Sequence, residues 1–100
     1  LPLGVNVVRR DLGGDILCDV SNVLREAIQE GLDHRAEALE YALEFGRGID
    51  AAVADRFVSM YVNDLTKDYG DEGRKAVTEL LRRGETLGAF PEAVHIDFVS

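Results

Sequence analysis

One hundred residues, 46% of them hydrophobic and 30% charged, make one globular segment rather than a disordered chain. Nineteen acidic against eleven basic residues leave a net charge of −8, which repels nucleic-acid phosphates and anionic membranes, so neither is expected as a partner. No apolar run approaches the roughly 18 residues needed to cross a bilayer, and no secretory h-region is expected in these residues.

Cys18 stands alone, which permits no internal disulfide and no cysteine-based zinc site and fits a cytoplasmic setting. Its neighbours Ile16, Leu17 and Val20 suggest a small buried apolar residue. The chain opens at Leu1 without an initiator Met, so a processed product, or a piece of something longer, is expected.

In chain order, Val5 to Arg9 is β-rich and follows Pro2 and Gly4, which predicts a short strand. Asp11-Leu-Gly-Gly14 is a turn. From Asp15, apolar residues at Ile16, Val20, Val23, Leu24, Ala27, Ile28 and Leu32 recur at three- and four-residue steps, predicting a helix interrupted at Gly31 and Asp33. Asp33 is the expected cap of a second helix, with Ala36, Leu39, Ala42 and Leu43 as its apolar stripe and Gly46-Arg-Gly48 as its stop. Asp50 is the next cap, opening a third helix on Ala54, Phe57, Val58, Tyr61, Val62 and Leu65 that runs to Gly70. A fourth opens at Asp71, with Ala76, Val77, Leu80 and Leu81 inward and Arg74, Lys75, Arg82 and Arg83 outward, bounded by Gly84, Gly88 and Pro91. Val94-His-Ile-Asp-Phe-Val99 alternates and predicts a final strand, half-buried through Val94, Ile96 and Phe98. The expected class is therefore α/β, mainly helical with about four helices and a strand at each end. Two short strands do not make a stable sheet alone, so they pair on the helices or extend a sheet whose other strands lie elsewhere.

Few residues carry a chemical signature. His34 follows a cap position among Asp33, Arg35 and Glu37, and reads as a solvated turn residue. His95 and Asp97 share one face of the last predicted strand, so a His–Asp contact is within geometric reach, yet no nucleophile accompanies it. Two distant histidines define no metal motif. Gly13-Gly14 lacks the lysine and hydroxyl of a phosphate loop. The carboxylates of the first two helices read as a solvated face.

Asn6 stands out, because an amide between valines is a poor strand residue and needs a specific partner, either neighbouring backbone or a ligand. Tyr61 lies on the stripe with Phe57 and Leu65 and reads as core with its hydroxyl tethered. Asn63 and Asp64 fall off that stripe and read as bonded to a neighbouring segment.

The same residues carry a resemblance. Leu1-Pro-Leu-Gly-Val-Asn-Val-Val-Arg-Arg-Asp-Leu-Gly13, His34-Arg-Ala-Glu-Ala-Leu-Glu-Tyr-Ala-Leu43 and Met60-Tyr-Val-Asn-Asp-Leu-Thr-Lys-Asp-Tyr-Gly70 resemble the closing third of the 1,4-dihydroxy-6-naphthoate synthase family, from the futalosine route to menaquinone. In one departure, Val5 stands where that family commonly has a second glycine, removing a site of close backbone approach.

The resemblance implies that residues 1–100 are one segment, the C-terminal portion of a larger two-lobed, type II periplasmic-binding-protein-like enzyme of the cytoplasm. It implies a lyase, free of cofactors, converting cyclic dehypoxanthinylfutalosine to the naphthoate. The catalytic base is expected upstream of this segment, so the segment alone is expected to be inactive. Gly4 and Asn6 are the expected substrate-binding residues. The expected partners are the small-molecule substrate, the remainder of the polypeptide and, in some assemblies, further copies of the chain.

Chorismate dehydratase, of the same pathway and fold, is the first alternative, followed by a non-catalytic small-molecule-binding protein of that fold. A free-standing acidic helical domain that binds a protein partner is the third.

Overall fold

The computed structural model describes residues 4–99. Leu1, Pro2 and Leu3 of the opening motif lie outside the described residues. After an extended stretch, a 3-10 turn over Arg10–Leu12 leads into five helices: α1 (Gly14–Asp33), α2 (Arg35–Leu43), α3 (Ala51–Tyr61), α4 (Asp64–Lys67) and α5 (Gly70–Thr86).

Both expected strands are absent, and with them the α/β class: among the described residues there is no strand, and residues 4–9 and 93–99 run without regular hydrogen bonding. Period-two patterning reports an extended chain with two unlike faces. A strand also needs a neighbour to take its backbone donors and acceptors. Here neither segment finds one. The alternation survives only in part in the burial: Ile96 and Phe98 are half-buried while His95 and Asp97 are exposed, but Val94, expected on the buried face, is exposed and Val99 is half-buried.

Gly13 adopts φ 88°, a conformation open to glycine, and turns the chain into α1. Asp15 in the first turn complements the helix dipole. α1 passes straight through Gly31, and Asp33 is its last residue rather than the cap of α2. The Asp33 carboxylate instead accepts a hydrogen bond from Gln29 Nε2 at 2.8 Å. The joint is the single residue His34, whose backbone N–H donates to the Glu30 carbonyl.

Asp50 caps α3 as expected, accepting from Val53 N at 2.9 Å. The expected long third helix breaks after Tyr61: Val62 is extended, and α4 starts afresh on an Asn63 cap. α5 carries Asp71 and Glu72 in its first turn and finishes just before Gly88, which takes φ 71°.

α2 packs between α1 and α3, and α4 lies against α1. This assembly encloses almost nothing. Ala54, 8% exposed, is the one buried hydrophobic residue described, and Gly73 is buried on α5. Val7, Val23, Tyr41, Phe45, Phe57, Met60 and Leu87 stand largely open to solvent. The radius of gyration is 16.4 Å, against about 13 Å for a compact chain of this length.

Candidate functional site

Gly4 and Asn6 lie in the exposed extended segment ahead of the 3-10 turn. Among the described residues, nothing lies within 4 Å of where a Cβ at Gly4 would sit. The hydrogen bonds of this region belong to the two arginines that follow. Arg9 Nε donates to Asp11 Oδ1 at 2.9 Å, and that bond holds the Asp11 carboxyl below its usual range. Arg10 reaches across to the other extended segment, with Nε 3.1 Å from Asp97 Oδ2 and a bond of 3.3 Å to the His95 carbonyl.

The expected His95–Asp97 contact is present, with Nε2 3.4 Å from Oδ1. All three side chains are exposed, and among the described residues no serine, cysteine or threonine joins them, so the cluster ties two extended segments together. Phe98 anchors the same segment from the other side, its ring edge-on to Tyr69 at 6.3 Å and 5.6 Å beneath the Arg74 guanidinium.

His34 sits at the α1–α2 joint. Its Nδ1 lies 3.2 Å from the Glu30 carbonyl oxygen and 3.1 Å from Glu30 Oε1. Among the described residues, no three His, Cys, Asp or Glu side chains gather as metal ligands would. Cys18 is exposed rather than buried, since no element covers its face of α1.

A groove of about 300 Å³ lies between α1, α2 and α3. Ile28 and Leu32 line it from α1, Leu39 from α2 and Val58 from α3, with Val62 following and Arg35 and Thr66 as its polar lining. Sequence reasoning missed Arg35. Its Nε donates to Asp55 Oδ1 at 2.7 Å, and the same guanidinium donates to the Asp55 carbonyl at 3.0 Å and to Ser59 Oγ at 2.6 Å. Ser59 in turn donates to the Asp55 carbonyl at 2.7 Å, so one arginine binds α2 to α3 through a closed set of bonds.

Tyr61 is not core: it is 43% exposed, with the Phe57 ring 4.6 Å away as its companion. Asn63 is a helix cap, bonded to Leu65 N at 2.9 Å. Its role was legible in Asn63-Asp-Leu-Thr66, a cap residue with a side-chain acceptor three positions on.

No helix among the described residues is long and apolar enough to cross a membrane. No solved structure matches the chain. A 1,4-dihydroxy-6-naphthoate synthase of Streptomyces coelicolor is 33% identical over 91 residues, which are 91% of this chain and 32% of that protein. A protein of the same name from Thermus thermophilus is 34% identical over 88 residues, 88% of this chain and 32% of its own length. The chain thus spans about a third of the curated relatives it matches. With residues 1–86 matching the family described as menaquinone biosynthesis, the chain belongs to that family.

Proposed function

We propose that this chain forms the closing third of a lyase that converts cyclic dehypoxanthinylfutalosine to 1,4-dihydroxy-6-naphthoate. The observation that carries the reading is the similarity, over about nine-tenths of the chain, to two proteins named for that product. Neither bears the name of chorismate dehydratase, the alternative from the same pathway. The enzyme would work in the cytoplasm on a small-molecule substrate, with Gly4 and Asn6 contributing to the pocket.

The chain does not hold the whole reaction. A general base must lie within hydrogen-bond reach of the proton it removes, in a site that sheds water. His34 and His95 are both exposed, and each faces a carboxylate. The base is therefore assigned to the remainder of the polypeptide.

The test is a full-length chimera in which this chain replaces the matching third of the Thermus thermophilus relative. The expected result is turnover of cyclic dehypoxanthinylfutalosine to the naphthoate by the chimera and none by the isolated chain. A chimera that folds as the relative does but forms no naphthoate would overturn the proposal.

A further inference from the structure

The segment that carries Gly4 and Asn6 is not fixed by packing, since residues 4–9 run extended and all of them are exposed. Holding such a segment in one geometry costs backbone and side-chain entropy, so it keeps that geometry only where something ties it. The residue that follows is Arg10, which opens the 3-10 turn. Its guanidinium pairs with Asp97 Oδ2 at 3.1 Å and donates to the His95 carbonyl at 3.3 Å, 85 residues along the chain. Arg9 donates to Asp11 through two nitrogens, which braces the turn locally.

The far end of this tie is itself anchored. Successive residues of an extended chain face opposite sides, and Asp97 and Phe98 use both. Asp97 meets Arg10 through one carboxylate oxygen and lies 3.4 Å from His95 Nε2 through the other. Phe98 turns to the helices, half-buried against Tyr69 and beneath the Arg74 guanidinium. The path runs from α5 through Phe98 and Asp97 to Arg10, and so into the opening motif.

We infer that Arg10 is a positioning residue: held by Asp97 and the His95 carbonyl, it sets the segment from which Gly4 and Asn6 meet the substrate. The inference rests on the proposed function for the substrate, while the tie itself is measurable without turnover. Arg10 and Asp97 are 63% and 59% exposed, and a surface pair adds little to global stability. Its worth also caps the effect on binding, because releasing the segment divides the affinity by the fraction still correctly placed, about fivefold at most.

Arg10→Ala, Asp97→Asn and the exchanged pair Arg10→Asp with Asp97→Arg are made in the full-length Thermus thermophilus chimera. The expected result is a KM for cyclic dehypoxanthinylfutalosine raised by about threefold to fivefold in each single variant, with kcat and Tm unchanged. The exchanged pair recovers most of the loss. With Asn6→Ala already present, Arg10→Ala changes KM by less than about twofold, because the amide it positions is gone. An unchanged KM in Arg10→Ala overturns the inference. So does a rise of equal size in the Asn6→Ala background, or one that accompanies a lowered Tm and is not recovered by the exchange.

A second measurement needs no substrate. With all other cysteines replaced, spin labels at Val7→Cys and Leu87→Cys, both wide open to solvent, report the distance from the segment to the end of α5. The tie predicts a narrow distribution of distances in the chimera that broadens in Arg10→Ala and in Asp97→Asn. A distribution of the same width with and without Arg10 overturns the inference. Broadening in a chimera that forms no naphthoate supports the positioning of the segment and counts against the proposed activity.

Discussion

Asn63 and Thr66 hold each other at the break between α3 and α4. The Thr66 hydroxyl accepts from the Asn63 N–H at 3.1 Å and donates to the Tyr61 carbonyl, also at 3.1 Å, while the Asn63 side chain caps Leu65 N. One short side chain thereby satisfies backbone groups from both helices. Asn63→Ala should destabilise this joint by about 1 kcal/mol, the usual cost of losing such a cap. Faster amide exchange at Leu65 and Thr66, with α1 and α5 unaffected, is the measurement that checks it.

Arg35 should couple to Asp55 more strongly than the other ion pairs do, being the least exposed of their cations. Charge-assisted bonds of this kind reach about 3 kcal/mol when buried and fall toward 1 at open sites, so Arg35→Ala should cost about 1–2 kcal/mol. Arg35→Lys should recover little, because a single ammonium cannot reproduce the planar fork that meets Asp55 and Ser59 together. A double-mutant cycle with Asp55→Asn, read by urea unfolding, gives the coupling. A value near zero would return Arg35 to the class of inert surface charges.

The Glu79 carboxyl is held down to about 2 by hydrogen bonds from Arg82 and Arg83. A depressed folded-state value means that the pair contributes stability above the ordinary carboxyl value of 4.5, and that this contribution fades as pH falls toward about 2. The pair lies at the surface, so the expected effect is small and sensitive to salt. A carboxyl carbon titration by NMR should place Glu79 below the other glutamates at low ionic strength, and 1 M salt should return it toward them.

Helix boundaries were the legible part of the fold. Asp50, the glycines after α2 and the acidic first turn of α5 act through local backbone chemistry, which a sequence displays directly. The break at Val62 was hidden because the apolar period runs on to Leu65 across it, and the Asn63 cap outweighs that period. The strands were misread for the opposite reason: Val5–Arg9 and Val94–Val99 carry the right pattern, but a ladder is a property of two segments. Tyr61 and Cys18 were assigned to an interior that these residues do not enclose. Asn6 was singled out by its misfit among valines, and it lies exposed in an extended segment, where packing does not explain that misfit.

Two glycines inside helices should respond oppositely to alanine. A Cβ on Gly73 falls 2.9 Å from Tyr69 Cβ, an atom fixed to the backbone, so Gly73→Ala forces α5 to shift and should cost about 1–3 kcal/mol despite the better helix former. A Cβ on Gly31 meets nothing within 4 Å, so Gly31→Ala should stabilise α1 by up to about 1 kcal/mol. Helicity by circular dichroism against urea concentration distinguishes the two, and a loss of stability at both would show that the α1 position is crowded after all.

Asn6→Ala is expected to separate activity from stability. Asn6 is exposed in an extended segment, so truncation removes no packing and should change stability by no more than about 0.5 kcal/mol. If its amide bonds substrate in the complete enzyme, the loss of one such bond should lower kcat/KM by roughly tenfold, the equivalent of about 1.4 kcal/mol. The variant belongs in the full-length chimera, with kcat/KM for cyclic dehypoxanthinylfutalosine and Tm measured on the same preparation. Reduced turnover at an unchanged Tm places the amide on the substrate. Unchanged turnover with a lowered Tm makes it a backbone tether, formed only once the rest of the polypeptide encloses the segment.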